Sequence, residues 1–179
     1  MSIRQPFGQD VPLTAINVGT AGTDVTAVEQ GDSIHHKTVL TIAADFPAIA
    51  GGAALAVGNL IYTFPAGAIN VRATYMSLSV TQTEGNITTD TPDMGIGTVI
   101  GSGVVSVLGG TATFENLLTG QTMDDCNGTT EVKTVATSLV IEAADAHTVH
   151  LNIADTWAAS GDLAAAIAGT VIIEWDFIA

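Results

Sequence analysis

The segment from Thr170 to Ile178 constrains this chain most. Val171, Ile173, Trp175 and Phe177 alternate there with Ile172, Glu174 and Asp176, which puts one apolar stripe on one face of an extended strand. Such a strand reads as central and buried on that side. His147 to Ile153 repeats the logic, with Val149, Leu151 and Ile153 on one face and Thr148, His150 and Asn152 on the other. Val132, Thr134 and Ala136 oppose Glu131 and Lys133, and Leu40 and Ile42 share a face of His35 to Ile42. With period two recurring in all these places, the chain reads as all-β.

Ile69 to Thr81 alternates as well, but it changes phase. Ile69, Val71, Ala73 and Tyr75 open the apolar set, and Met76, Leu78 and Val80 continue it. A slip of one residue turns every later side chain to the other face, so the segment needs a β-bulge or a bend across a corner. Further strand candidates are Asn59 to Phe64, Met94 to Ile100, Val104 to Leu108, Thr111 to Glu115 and Leu139 to Ile141. About eight to ten strands result, in the range of a jelly-roll-like two-sheet β-sandwich.

Helix is scarce. Ile49 to Val57 is Ala-rich but interrupted by Gly51 and Gly52, each costing about 0.5–1 kcal/mol in a helix interior, and it reads as loop. Asp162 to Ile167 has an acidic start and good helix formers but is too short to stand alone, giving at most one turn before the final strand.

At 179 residues the chain suits one domain with a continuous core. Residues 1–34 are rich in Gly, Thr, Asp and Gln, with apolar residues scattered singly. They read as an extended N-terminal arm carrying one short strand near Val25 to Val28, placed to lie on a neighbouring subunit. Residues 35–179 form the sandwich.

Charge narrows the partners. Four Lys and Arg face 18 Asp and Glu, a formal net charge of −14, which opposes binding to nucleic acid or anionic lipid. Charged residues are only 12% of the chain against 47% hydrophobic ones, so its surface must be made largely of Thr, Ser, Asn and Gly. The N-terminal Met1-Ser2-Ile3-Arg4-Gln5-Pro6 lacks a secretory h-region, and no apolar run is long enough to span a bilayer. Synthesis and assembly in a cytosol are expected. Cys126 is the single cysteine and has no intrachain disulfide partner.

No residue pattern points to catalysis. His147 and His150 have a helical metal spacing but lie in a β-branched segment, where residues three apart face opposite ways, and adjacent His35 and His36 share that problem. Asp124-Asp125-Cys126-Asn127-Gly128-Thr129 and Asp90-Thr91-Pro92-Asp93 are oxygen-rich, yet they read as ordinary turns because EF-hand ligand spacing is missing. Gly95-Ile96-Gly97-Thr98-Val99-Ile100 resembles a phosphate-binding loop without its final glycine. The thiolate of Cys126 is disfavoured beside two aspartates. Asn86-Ile87-Thr88 and Asn127-Gly128-Thr129 match a glycosylation sequon, which without a secretory signal carries no function. Catalytic, cofactor and metal sites are therefore not expected.

Leu60 to Val71, built around Pro65-Ala66-Gly67, together with Asp93 to Thr98, Asn127 to Val135, His150 to Ile153 and Gly169 to Trp175, resembles small virion proteins of tailed bacteriophages, particularly marine and cyanobacterial ones. The resemblance implies a capsid decoration, or cement, protein: a jelly-roll-like homotrimer that binds the major capsid protein on the outside of the shell, assembled in the host cytoplasm. Contact is expected through the arm and the Gly/Ala-rich loops, where small side chains let backbones approach closely. Two other classes share the fold: a head-fibre or tail adsorption module binding host glycan or protein, and a carbohydrate-active enzyme or lectin.

Overall fold

A computed structural model describes residues 18–32, 34–50, 54–82, 90–109, 112–124, 126–157, 162–163 and 165–178. Its strands are β1 (Thr20–Ala21), β2 (Val25–Gly31), β3 (His35–Asp45), β4 (Ile49–Ala50), β5 (Ala54–Thr63), β6 (Ile69–Gln82), β7 (Asp93–Gly97), β8 (Leu118–Thr122), β9 (Asn127–Ile141), β10 (Thr148–Thr156), β11 (Asp162–Leu163) and β12 (Ala165–Phe177). A short 3-10 turn covers Ala112–Phe114. Among the described residues no helix is long and apolar enough to cross a membrane.

Two antiparallel five-stranded sheets pack face to face. The first has the order β2-β3-β12-β6-β9 and the second β1-β5-β10-β7-β8, while β4 and β11 pair as a separate two-stranded ribbon. If the edge strand β2 and the two-residue strands β1, β4 and β11 are set aside and the other eight are counted 1 to 8 in chain order, the sheets read 1-8-3-6 and 2-7-4-5. That is the strand order of a jelly roll. The all-β two-sheet sandwich expected from the alternation is the observed fold.

β12 is central, paired along its length with β3 and β6. Its Ile167, Val171, Ile173 and Trp175 point inward and are buried, as are Leu40 and Ile42 of β3 and Val149, Leu151 and Ile153 of β10. The phase change in β6 is a bulge. Val71 pairs with Trp175 and Ala73 with Glu174, leaving Arg72 as the extra residue. Beyond it Thr74, Met76, Leu78 and Val80 are buried, while Tyr75, Ser77 and Ser79 are only half-buried and Thr81 is exposed.

Other segments depart from the sequence reading. β9 is an edge strand whose register sends Val132 outward, 73% exposed, and half-buries Glu131 and Lys133 beside Val135, which packs on the core. Ile49 to Val57 is not loop throughout, since it supplies β4 and the start of β5. The described residues of Asp162 to Ile167 are strand and not helix: they supply β11 and the start of β12, where pairing with β3 and β6 overrides the helix propensity of Ala. Val104 to Leu108 is irregular, and of the strand expected at Thr111 to Glu115, whose Thr111 lies outside the described residues, Ala112–Phe114 form the 3-10 turn.

The strand expected near Val25 to Val28 is β2. The described part of the arm is joined to both sheets, β1 to β5 and β2 to β3. The chain crosses between them through Asp24, whose φ of 56° lies in the left-handed region that Asp tolerates. Residues 1–17 lie outside the described residues.

Candidate interaction surface

The two outer faces of the sandwich are finished differently. On the second sheet, residues 98–109 and 112–117 lie across the strands and make a small second core, in which Leu108, Phe114 and Val105 meet Ala56 of β5 and Ala154 of β10. Asn152, fully buried on β10, fastens this cover. Its Oδ1 accepts from Gly101 N at 2.6 Å, and its Nδ2 donates to Val99 O at 3.0 Å and Phe114 O at 2.8 Å. Asn116 adds a reciprocal pair with Thr98: its Oδ1 accepts the Thr98 N–H at 2.9 Å and its Nδ2 donates to the Thr98 hydroxyl at 2.9 Å.

Gly97 explains the resemblance to a phosphate loop. A Cβ at this position would run into the backbone of Thr113 and Phe114, so the glycine admits the chain's own cover.

Among the described residues the first sheet has no such cover. Register fixes its outward rows, because side chains two apart share a face. One complete row runs Val28, Val39, Ile172, Tyr75, Thr134 across all five strands. The next runs Thr26, Thr41, Thr170, Ser77, Val132, and a third runs Ala43, Ala168, Ser79, Thr130. No Asp, Glu, Lys, Arg or His occurs in these three rows, although the chain carries a net charge of −14.

Charges gather at one end of the face, where Lys37 and Arg72 balance Glu174 and Asp176. Arg72 Nε lies 3.2 Å from Asp176 Oδ1 and His35 Nδ1 lies 2.7 Å from the same oxygen, so β6, β12 and β3 are tied together there.

Alternation also separates the histidines, as expected. His35 faces outward, whereas His36 is buried. His147 Nε2 is 2.6 Å from Gly67 O, and His150 is buried on the outward side of β10, where burial lowers its pKa below the ordinary value. Among the described residues no group of three or more His, Cys, Asp or Glu is arranged to hold a metal ion.

The acidic turns do structural work. Asn127 Oδ1 accepts from Thr129 N at 3.2 Å and from its hydroxyl at 2.8 Å, an Asx turn, while Cys126 is buried. Asp93 Oδ1 accepts the Thr122 hydroxyl at 2.7 Å, and Asp93 Oδ2 accepts Leu108 N at 3.3 Å. Asp125 and Asn86 lie outside the described residues.

The bare face was signalled by residues that break the inward-apolar rule. Ile172 sits in the sequence among Glu174 and Asp176, and Val132 beside Glu131 and Lys133. Compared with protein-family models, curated proteins and solved structures, the chain matches none of them.

Proposed function

We propose that this chain is a structural protein of a phage virion, a capsid decoration protein that binds the outside of the shell and stabilises it as a homotrimer. The observation that carries this reading is the unequal finishing of the sandwich: one face is closed by the chain's own cover, whereas the other is bare among the described residues and uncharged over three rows. A two-layer body with an outer face of uncharged Thr, Ser, Val, Ile and Tyr side chains is suited to contact. The resemblance of its short motifs to virion proteins of tailed phages supplies the setting. Many modest interfaces acting together would give strength through effective concentration rather than through any single tight contact.

The test compares capsids assembled with and without this chain. Shells lacking it should break at lower temperature or lower internal pressure and regain stability when purified protein is added back. Shells indifferent to its addition would sink the proposal.

A further inference from the structure

We infer that the outer face of the first sheet is where copies of this chain pack on one another, turned toward the symmetry axis of the oligomer. The inference deepens the reading above by naming the occupant of that face, and it rests on that reading only for the trimeric count.

Charge selects the occupant. A chain of net charge −14 repels its own copies over most of its surface, and the repulsion is least where charge is missing. The rows holding Val28, Ile172, Tyr75 and Val132 are such a place. At their end, the balanced group of Lys37, Arg72, Glu174 and Asp176 offers both signs, so an equivalent face can meet it without net repulsion. A strongly charged partner would find nothing to pair with across the middle of the face.

Size agrees. Five strands at about 4.8 Å and nine residues at about 3.3 Å outline roughly 700 Å², close to the ~800 Å² that each partner contributes to a standard interface. Mixed Thr, Ser, Val, Ile and Tyr also suit self-packing, since small hydroxyl side chains pair with each other while the aliphatic and aromatic ones interdigitate.

The experiment measures mass in solution by light scattering for the full chain and for Val132→Lys combined with Thr134→Lys. Both positions are exposed on the edge strand, so lysine there should leave the fold, checked by circular dichroism, intact. Ile172→Lys places the charge at the centre of the face and serves as a second disruption. Val104→Lys, at a position 84% exposed on the cover of the opposite face, is the control.

Wild type and the control should be oligomeric, and the Val132/Thr134 variant should dissociate to monomer at least tenfold more readily. A monomeric wild type, or an oligomer untouched by both disruptions, overturns the inference. If monomeric wild type binds capsids and the variants do not, the face belongs to the shell protein; the inference falls and the capsid reading stands. An oligomer that dissociates as expected but leaves capsids unaffected does the reverse.

Discussion

His36 stacks on Trp175 with ring centroids 3.9 Å apart and planes 12° from parallel. Both side chains are buried, and Trp175 Nε1 donates to Thr38 Oγ1 at 2.8 Å, which fixes the indole. On its other side His36 faces the only buried carboxyl of β2: Nδ1 lies 3.6 Å from Glu29 Oε2. Glu29 Oε1 meanwhile accepts from the Tyr62 hydroxyl and from Gly19 N, the latter at 2.9 Å. A polar clasp thus fastens β2, β3, β5, β12 and the entering chain, and the nitrogens of His36 are left without a hydrogen-bond partner.

The clasp makes stability depend on pH in a definite direction. Burial, the largest influence, lowers the pKa of His36 below its ordinary 6.5 despite the opposing pull of Glu29, Asp32 and Asp176. Burial lowers that of His150 too. A depressed histidine binds its proton more readily unfolded, so stability is intact above 6.5 and is lost as pH falls through that value toward the folded pKa. Asp155 works the other way, since burial and then Asp90 and Asp93 raise its carboxyl, and acidification relieves that strain. The unfolding midpoint in urea is expected to drop between pH 7.5 and 5, and His36→Phe, which keeps the ring stack, should flatten the drop. An equally steep drop in the variant would remove His36 from the explanation.

Asn152 gives a second expectation. Replacing it with Ala strands Gly101 N and the carbonyls of Val99 and Phe114; at roughly 1–3 kcal/mol per buried unpaired group, partly relieved by water, a loss of about 3 kcal/mol is expected. Amide exchange should accelerate in residues 98–109 and 112–117 first, while β12 keeps the protection of the global fold. Uniform acceleration throughout the chain would mean that the cover is not a separable layer.

The sandwich was legible because alternation on β12, β10 and β3 reports burial on one side directly. Ile69 to Thr81 even announced its bulge, since Tyr75 and Met76 cannot both face one core from a regular strand. What alternation does not report is which side of an edge strand meets the core. On β9 the inward positions hold Glu131 and Lys133, whose charged ends escape at the sheet margin while Val132 points out. Sequence also hid the cover of the second sheet, because His150 and Asn152 look like a solvated polar face until residues 98–109 and 112–117 fold over them. Ile172 and Val132 hinted singly at the outer face, but its continuity across five strands distant in sequence depends on the register that aligns them.

Gly97 tests the cover from the other side. Gly97→Ala puts a methyl group against the backbone of Thr113 and Phe114, which can yield only by lifting the cover, and overpacking of this kind costs about 1–3 kcal/mol. Gly109→Ala meets nothing nearer than Val107 Cγ1 at 3.8 Å and should be near neutral. Thermal unfolding of the pair separates the two roles. Equal melting temperatures would show that the glycine of β7 is not required for close approach.

The bulge offers the sharpest test of register. Deleting Arg72 lets Ala73 oppose Glu174 alone, so Val71 and Thr74 stay inward and Tyr75 outward with simple alternation restored. The deletion forfeits the half-exposed ion pair with Asp176, worth under about 1 kcal/mol, and a folded, slightly less stable protein is expected. Deleting Ile172 removes the same length of chain from β12, which pairs with β3 without any register shift that could absorb the loss. Either Ile173 and Trp175 or Val171 and Ile167, all buried now, would turn to the outer face, forfeiting about 1.5–3 kcal/mol each, a large part of the stability of a domain. Circular dichroism and urea unfolding of the two deletions decide the matter. The bulge assignment fails if the Arg72 deletion unfolds, or if the Ile172 deletion is tolerated as well.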